Sequence, residues 1–172
     1  MRLFTAINFS PGTCLRLTLL QDELRAKSAR GNFTSPENIH LTLVFLGECG
    51  GAQLAAAKAA LDAVHFEPFS IEVDRVGCFA RGESNIWWAG VRESRPLLNL
   101  QSQLINKLAI EGFALDSRRY SPHITLGRKV EGNIAGWWVE PFGETVSSIE
   151  LMRSERLQGK LTYTQIYRKA AH

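Results

Sequence analysis

His40-Leu41-Thr42-Leu43 returns 83 residues later as His123-Ile124-Thr125-Leu126, and the two copies use two of the chain's four histidines. Each copy sits in an apolar, β-branched run that reads as a strand. Successive strand side chains point to opposite faces, so His40 and Thr42 share one face and Leu41 and Leu43 the other; His123 and Thr125 pair in the same way. The separation is close to half of the 172 residues. It predicts two related halves facing each other across one cleft, lined by two imidazoles and two hydroxyls.

Working outward, residues 3–8 alternate as a strand that Ser10-Pro11-Gly12 ends. Residues 11–29 read as a helix opened by Pro11, with Leu15, Leu19 and Leu24 near helical spacing. Gly31 and Pro36 break the chain before the first histidine strand, 39–46. The alanine-rich stretch 53–64 is a helix. Strands 69–78 and 85–91 follow, joined by a turn at Arg81-Gly82-Glu83-Ser84. Pro96 opens a helix over 96–111 that carries Leu97, Leu100, Leu104 and Leu108 on one stripe and ends at Gly112. The second histidine strand, 123–128, leads into a Gly- and Trp-rich connection over 131–143, and strands 145–153 and 161–167 close the chain as an antiparallel pair. The pattern is α+β with mainly antiparallel sheet. No segment resembles an interdomain linker, so residues 1–172 are expected to form a single domain of two related lobes.

Composition excludes several classes. With 45% hydrophobic and 22% charged residues the chain matches an ordinary globular protein, not a disordered one. The opening residues lack the apolar stretch of a secretory signal, and no run approaches the roughly 20 apolar residues of a membrane span. A cytoplasmic protein is expected, and a monomer. Cys14, Cys49 and Cys78 are odd in number and widely spaced, which argues against a disulfide framework or a zinc site and makes them packing residues. The net charge of +3 is uneven: residues 1–86 carry 8 Lys+Arg against 9 Asp+Glu, and residues 87–172 carry 12 against 8. A modest positive surface on the second half would favour an anionic ligand.

Two histidines on either side of a phosphodiester can divide proton transfer, because imidazole titrates near neutrality and can serve as either partner. The neutral one takes a proton from attacking water; the protonated one gives a proton to the departing oxygen. Thr42 and Thr125, each on its histidine's face, are suited to donate hydrogen bonds to the non-bridging phosphate oxygens. No metal or other cofactor is needed, and the chain lacks the dense Asp/Glu/His clustering of a two-metal phosphodiesterase. A single His-x-Thr carries little information, since most strand histidines are structural. Two copies, symmetrically placed and each followed by leucine, are hard to explain as packing.

At these residues the chain resembles the 2H phosphoesterase superfamily, and within it the RNA 2′,3′-cyclic phosphodiesterases, also described as 2′-5′ RNA ligases. The resemblance covers nearly the whole chain. It includes Arg2-Leu3-Phe4-Thr5-Ala6-Ile7, the segment from Asn38 through His40 and Thr42 to Gly47, Trp87-Trp88-Ala89-Gly90-Val91, the segment from Tyr120 through His123 and Thr125 to Arg128, and Tyr163-Thr164. It implies a bilobal, pseudo-twofold α+β fold with both motifs in a central cleft and helices outside. It also implies hydrolysis of a 2′,3′-cyclic phosphate at an RNA end to a 2′-phosphomonoester. His40 is assigned as proton donor to the ribose 3′-oxygen and His123 as the base on water, although near-identical motifs do not by themselves divide the roles. Alternatives are a 2′-5′ ligase, action on another cyclic phosphate, or a non-catalytic module that binds RNA ends.

Arg128 sits where the family often carries a basic residue, and its guanidinium is suited to clamp a phosphate. Strict alternation puts it on the face opposite His123, so it reaches the cleft only if the strand bends around Gly127, a residue smaller than the family pattern leads one to expect. Phe45 is expected in the core with Leu41 and Leu43. His65 and His172 are expected to be exposed and idle, and the pairs Trp87-Trp88 and Trp137-Trp138 to be partly buried. Arg118, Arg119 and Tyr163 are further candidates for substrate contact.

Overall fold

The computed structural model describes residues 1–172. Two β-α-β units set the architecture. In the first, β1 (Arg2–Ile7) leads through α1 (Pro11–Lys27), the short strand β2 (Arg30–Phe33) and a 3-10 turn at Pro36–Asn38 into β3 (Leu41–Glu48). After α2 (Gly51–Asp62) and β4 (Phe69–Phe79), the second unit runs from β5 (Ile86–Val91) through α3 (Arg95–Ile110) to β6 (His123–Glu131). Strands β7 (Trp137–Val146), β8 (Ser148–Leu157) and β9 (Lys160–Ala170) complete the chain. One sheet has the order β3-β1-β8-β9 and the other β2-β6-β5-β4-β7, and every pairing is antiparallel. Apart from the added β2, the two orders correspond strand for strand about a pseudo-twofold relation.

Two of the three helices reach across the halves. α1 follows β1 of the first sheet yet packs on β2, β6 and β7 of the second; α3 follows β5 of the second sheet and lies against β3 of the first as well as β4 of its own. One apolar core of 30 buried residues therefore runs through both sheets and all three helices. On α3 the buried stripe is Leu97, Leu100, Leu104 and Leu108, as the spacing predicts. On α1 the buried set is Thr13, Leu17, Leu20, Gln21 and Leu24, whereas Leu15 and Leu19 are exposed. Helical spacing alone does not choose between two leucine stripes one position apart, and the second sheet selects the one that includes Gln21.

Residues 131–143 are not a connection: from Trp137 they form β7, which also takes Thr145 and Val146, so that β8 begins only at Ser148. The proline at 141 is tolerated because β7 is an edge strand, where a missing N–H costs no ladder bond. Gly143 is required there, because a Cβ would lie 1.8 Å from the carbonyl oxygen of Ile71. β2 is too short and glycine-containing to be read from sequence, and exists by pairing with β6.

Both histidine strands carry a β-bulge at the same place. Ala6 and Thr5 face Thr42 and Val44, so β3 has one extra residue at Leu43; Trp88 and Trp87 face Thr125 and Gly127, so β6 has one at Leu126. Thr5, fully buried, satisfies the first bulge: Val44 N–H donates to its hydroxyl (3.1 Å), which donates on to the Val44 carbonyl (3.4 Å). An extra residue reverses the alternation beyond it. That reversal decides what enters the cleft.

Candidate active site

His40 stands immediately before β3, and His123 is the first residue of β6. Their Nδ1 atoms are held in the same way. The Nδ1 of His40 lies 2.6 Å from the carbonyl oxygen of Asn38, and the Nδ1 of His123 lies 2.8 Å from that of Ser121. A carbonyl oxygen only accepts, so in both rings Nδ1–H donates to the backbone two residues back, and Nε2 is the nitrogen left for chemistry. The Nε2 of His40 is 2.7 Å from the Thr42 hydroxyl. While the ring is neutral that hydroxyl donates to it; once the ring is protonated the direction reverses and the threonine hydrogen is free to turn elsewhere.

Aromatic rings hold both imidazoles. His40 forms a triangle of rings with Phe4 (5.0 Å between centroids) and Tyr163, which meets it edge-on at 5.2 Å and meets Phe4 edge-on at 5.0 Å. His123 meets Phe79 edge-on at 4.9 Å, and Phe79 in turn leans on Trp88 at 5.3 Å. Trp88 lies flat over two glycines, where a Cβ on Gly77 or Gly90 would come within 2.4 or 2.9 Å of its ring. Phe4 and Phe79 were not legible as site residues: each sits on a strand other than its histidine's, and only the register brings them together.

The bulges place the next side chain. Phe4 and Ala6 share a face of β1 and pair with Phe45 and Thr42, so Phe45 lies on the His40/Thr42 face, 69% exposed and not in the core. Ile86 and Trp88 share a face of β5 and pair with Arg128 and Thr125, so Arg128 lies on the His123/Thr125 face, exposed. Phe45 and Arg128 occupy equivalent positions, five residues past their histidines. The reversal that strict alternation misses is therefore common to both halves.

Electrostatics bring these elements together. Burial lowers the pKa of His40 below the ordinary 6.5; its bond to Asn38 works the other way, and the charges of His123 and Arg128 lower it further. Burial also lowers that of His123, again against a backbone bond, with Arg128 and Arg81 adding to the effect. Burial raises the Tyr163 phenol while Arg128 and Arg2 oppose the rise. Arg128 thus acts at once on His40 before β3, His123 of β6 and Tyr163 of β9. None of Arg2, Arg81 and Arg128 has a carboxylate partner, so the cleft is positive without internal neutralisation.

The remaining candidates lie elsewhere or are otherwise occupied. Arg118 donates from both Nε and Nη2 to Oδ2 of Asp116 in the loop before β6, and Arg119 is exposed beside it. His65 and His172 are exposed, as expected, and meet each other at the surface: their ring nitrogens are 2.7 Å apart and the rings stack at 4.8 Å. Trp87 is buried and Trp88 half-buried, and Trp137 is half-buried while Trp138 is 77% exposed, so each pair is partly buried as expected. All three cysteines are unpaired. No helix is long and apolar enough to cross a membrane.

Two sheets in pseudo-twofold relation, each presenting an Nε2 and a threonine hydroxyl to a cationic cleft, define a two-histidine phosphoesterase. The chain matches the family described as "LigT like Phosphoesterase" over residues 10–88. It is 34% identical over 151 residues to the "RNA 2',3'-cyclic phosphodiesterase" of Archaeoglobus fulgidus, covering 84% of this chain and 85% of that one. It is 29% identical over 178 residues to the protein of the same name from Methanothermobacter thermautotrophicus, covering 96% of each. Its fold superposes on that of Escherichia coli LigT complexed with 3'-AMP with a TM-score of 0.85 at 25% identity, over 99% of this chain and 97% of that one. This chain belongs to the LigT-like phosphoesterase family, the 2H phosphoesterases, and is a hydrolase.

Proposed function

We propose that this protein is an RNA 2′,3′-cyclic phosphodiesterase that opens the cyclic phosphate at an RNA end to a 2′-phosphomonoester, with His40, His123, Thr42, Thr125 and Arg128 as its site. The reading rests on one observation above all: both histidines donate Nδ1–H to a carbonyl two residues back and so offer Nε2. A water attacks phosphorus as His123 Nε2 removes its proton. The bond from phosphorus to the 3′-oxygen breaks, and His40 Nε2–H protonates that oxygen. Thr42 and Thr125 donate to the non-bridging oxygens as their charge rises, and Arg128 holds the phosphate.

Burial favours both imidazoles neutral, which suits the base and not the acid. An entering phosphate supplies the negative charge that favours protonation of one of them. The substrate thus completes the acid it needs, and charging His40 releases the Thr42 hydroxyl toward the phosphate. The three unpaired cysteines favour a reducing compartment, consistent with the cytoplasm. The test is incubation of a nucleoside 2′,3′-cyclic phosphate, and of a short RNA with that end, in excess EDTA. The 2′-monoester is the expected product; the 3′-monoester, or no turnover until a divalent ion is restored, refutes the reading.

A further inference from the structure

Each bulge is held by a glutamine from the helix of the other half. Gln21 of α1 is 2% exposed, and its Nε2 donates to the carbonyl of Leu126 (2.9 Å) and to that of Thr34 (2.7 Å). Gln101 of α3 donates its Nε2 to the carbonyl of Leu43 (3.4 Å). Leu126 and Leu43 are the two bulge residues. Two carbonyl acceptors use both hydrogens of the Gln21 amide, so its orientation is set by chemistry. A buried carboxamide is costly unless fully paired, and an apolar side chain would suit a core stripe between Leu17, Leu20 and Leu24 better. Thr34, the other acceptor, donates its hydroxyl to the carbonyl of Thr125 (3.1 Å), so the contact reaches the motif by two routes.

We infer that Gln21 and Gln101 are positioning residues that fix the two bulges across the pseudo-twofold relation, and that Gln21 thereby sets the Arg128 guanidinium for the phosphate. The inference rests on the reading of Arg128 as phosphate ligand. Without the bulge Arg128 would revert to the face of Leu126, toward the core.

A double-mutant cycle on kcat/KM with a nucleoside 2′,3′-cyclic phosphate tests this, using Gln21→Met, close in shape but without donors, and Arg128→Ala. Gln21→Met is expected to lower kcat/KM about 10-fold in the wild-type background and under about 2-fold when Arg128 is already alanine, because residues acting as a unit are not additive. Equal losses in both backgrounds overturn the inference and leave the phosphate reading standing. A silent Arg128→Ala removes the phosphate reading and this one with it. Should Gln21→Met fail to fold, the wild-type protein is titrated with a nucleoside 2′-monophosphate while the Gln21 side-chain amide is followed by NMR. A shift that Arg128→Ala abolishes supports the inference; no shift, or one that survives Arg128→Ala, overturns it.

Discussion

Replacing His40 and His123 separately by alanine, and supplying substrates with different leaving groups, separates acid from base. Loss of a positioned proton-transfer group costs about 10²- to 10⁴-fold, about 2.7 to 5.4 kcal/mol of barrier at 1.36 kcal/mol per decade. The structure adds a stability term that differs between the sites. His40 contacts two rings, Phe4 and Tyr163, and His123 one, Phe79. At about 0.5–1.5 kcal/mol per aromatic pair, His40→Ala should cost roughly 1–3 kcal/mol of stability and His123→Ala about half that. His123 therefore contributes less to packing than His40 does. Unfolding by denaturant measures this term separately from turnover, which is assayed well below the midpoint. A substrate with a 3′ nitrophenyl leaving group needs little protonation, so it should recover most of the activity of His40→Ala and none of that of His123→Ala. Recovery confined to His123→Ala would reverse the assignment. Recovery of neither, with both fully folded, would refute the division of one acid and one base.

Thr42→Ala and Thr125→Ala should each slow turnover about 10²- to 10³-fold, with serine recovering most of the loss because it keeps the hydroxyl; valine that matched wild type in kcat would remove these residues from the transition state. Binding of a nucleoside 2′-monophosphate at pH 7 should take up protons, since both histidine pKa values lie below 6.5 in the free protein and rise beside the phosphate; calorimetry in buffers of different ionisation enthalpy reads the number, and proton release would contradict it. The same lowered values mean that the unfolded chain binds more protons than the native one near and below pH 6.5, so stability falls as pH drops from about 7 through the native pKa values. His40→Gln should flatten that slope in denaturant titrations run from pH 7.5 to 5; an unchanged slope would show that His40 does not contribute. Gly143→Ala should cost about 3 kcal/mol or more, because the new Cβ meets the Ile71 carbonyl at 1.8 Å, whereas Gly12→Ala, with nothing within 4 Å, should stay within about 1 kcal/mol; equal midpoints for the two would refute the close approach of β7 to β4.

The repeated motif determined much by itself. Two copies of His-x-Thr-Leu, 83 residues apart, fix two strands, one face for each His/Thr pair and a two-part division of the chain, because strand alternation is local and needs nothing beyond covalent geometry. The α3 leucine stripe was legible for the same reason, its period of 3.6 residues being written in adjacent turns. What lies past the fourth residue of each motif was not. A bulge depends on the register of a partner strand, β1 for Leu43 and β5 for Leu126; Gly127 marks only a place where β6 can bend, and the equivalent position in β3, Val44, carries no such mark. That one extra residue sends Phe45 out of the core and brings Arg128 to the histidine face, overriding the alternation read from sequence. β7 was hidden in a Gly- and Trp-rich stretch because its strand character comes from pairing with β4, and Gly143 serves a clash visible only across that pairing. The rings beneath the histidines and the glutamines behind the bulges come from distant parts of the chain. Only the packing of crossed helices on paired sheets brings them within a few ångströms of the groups they hold.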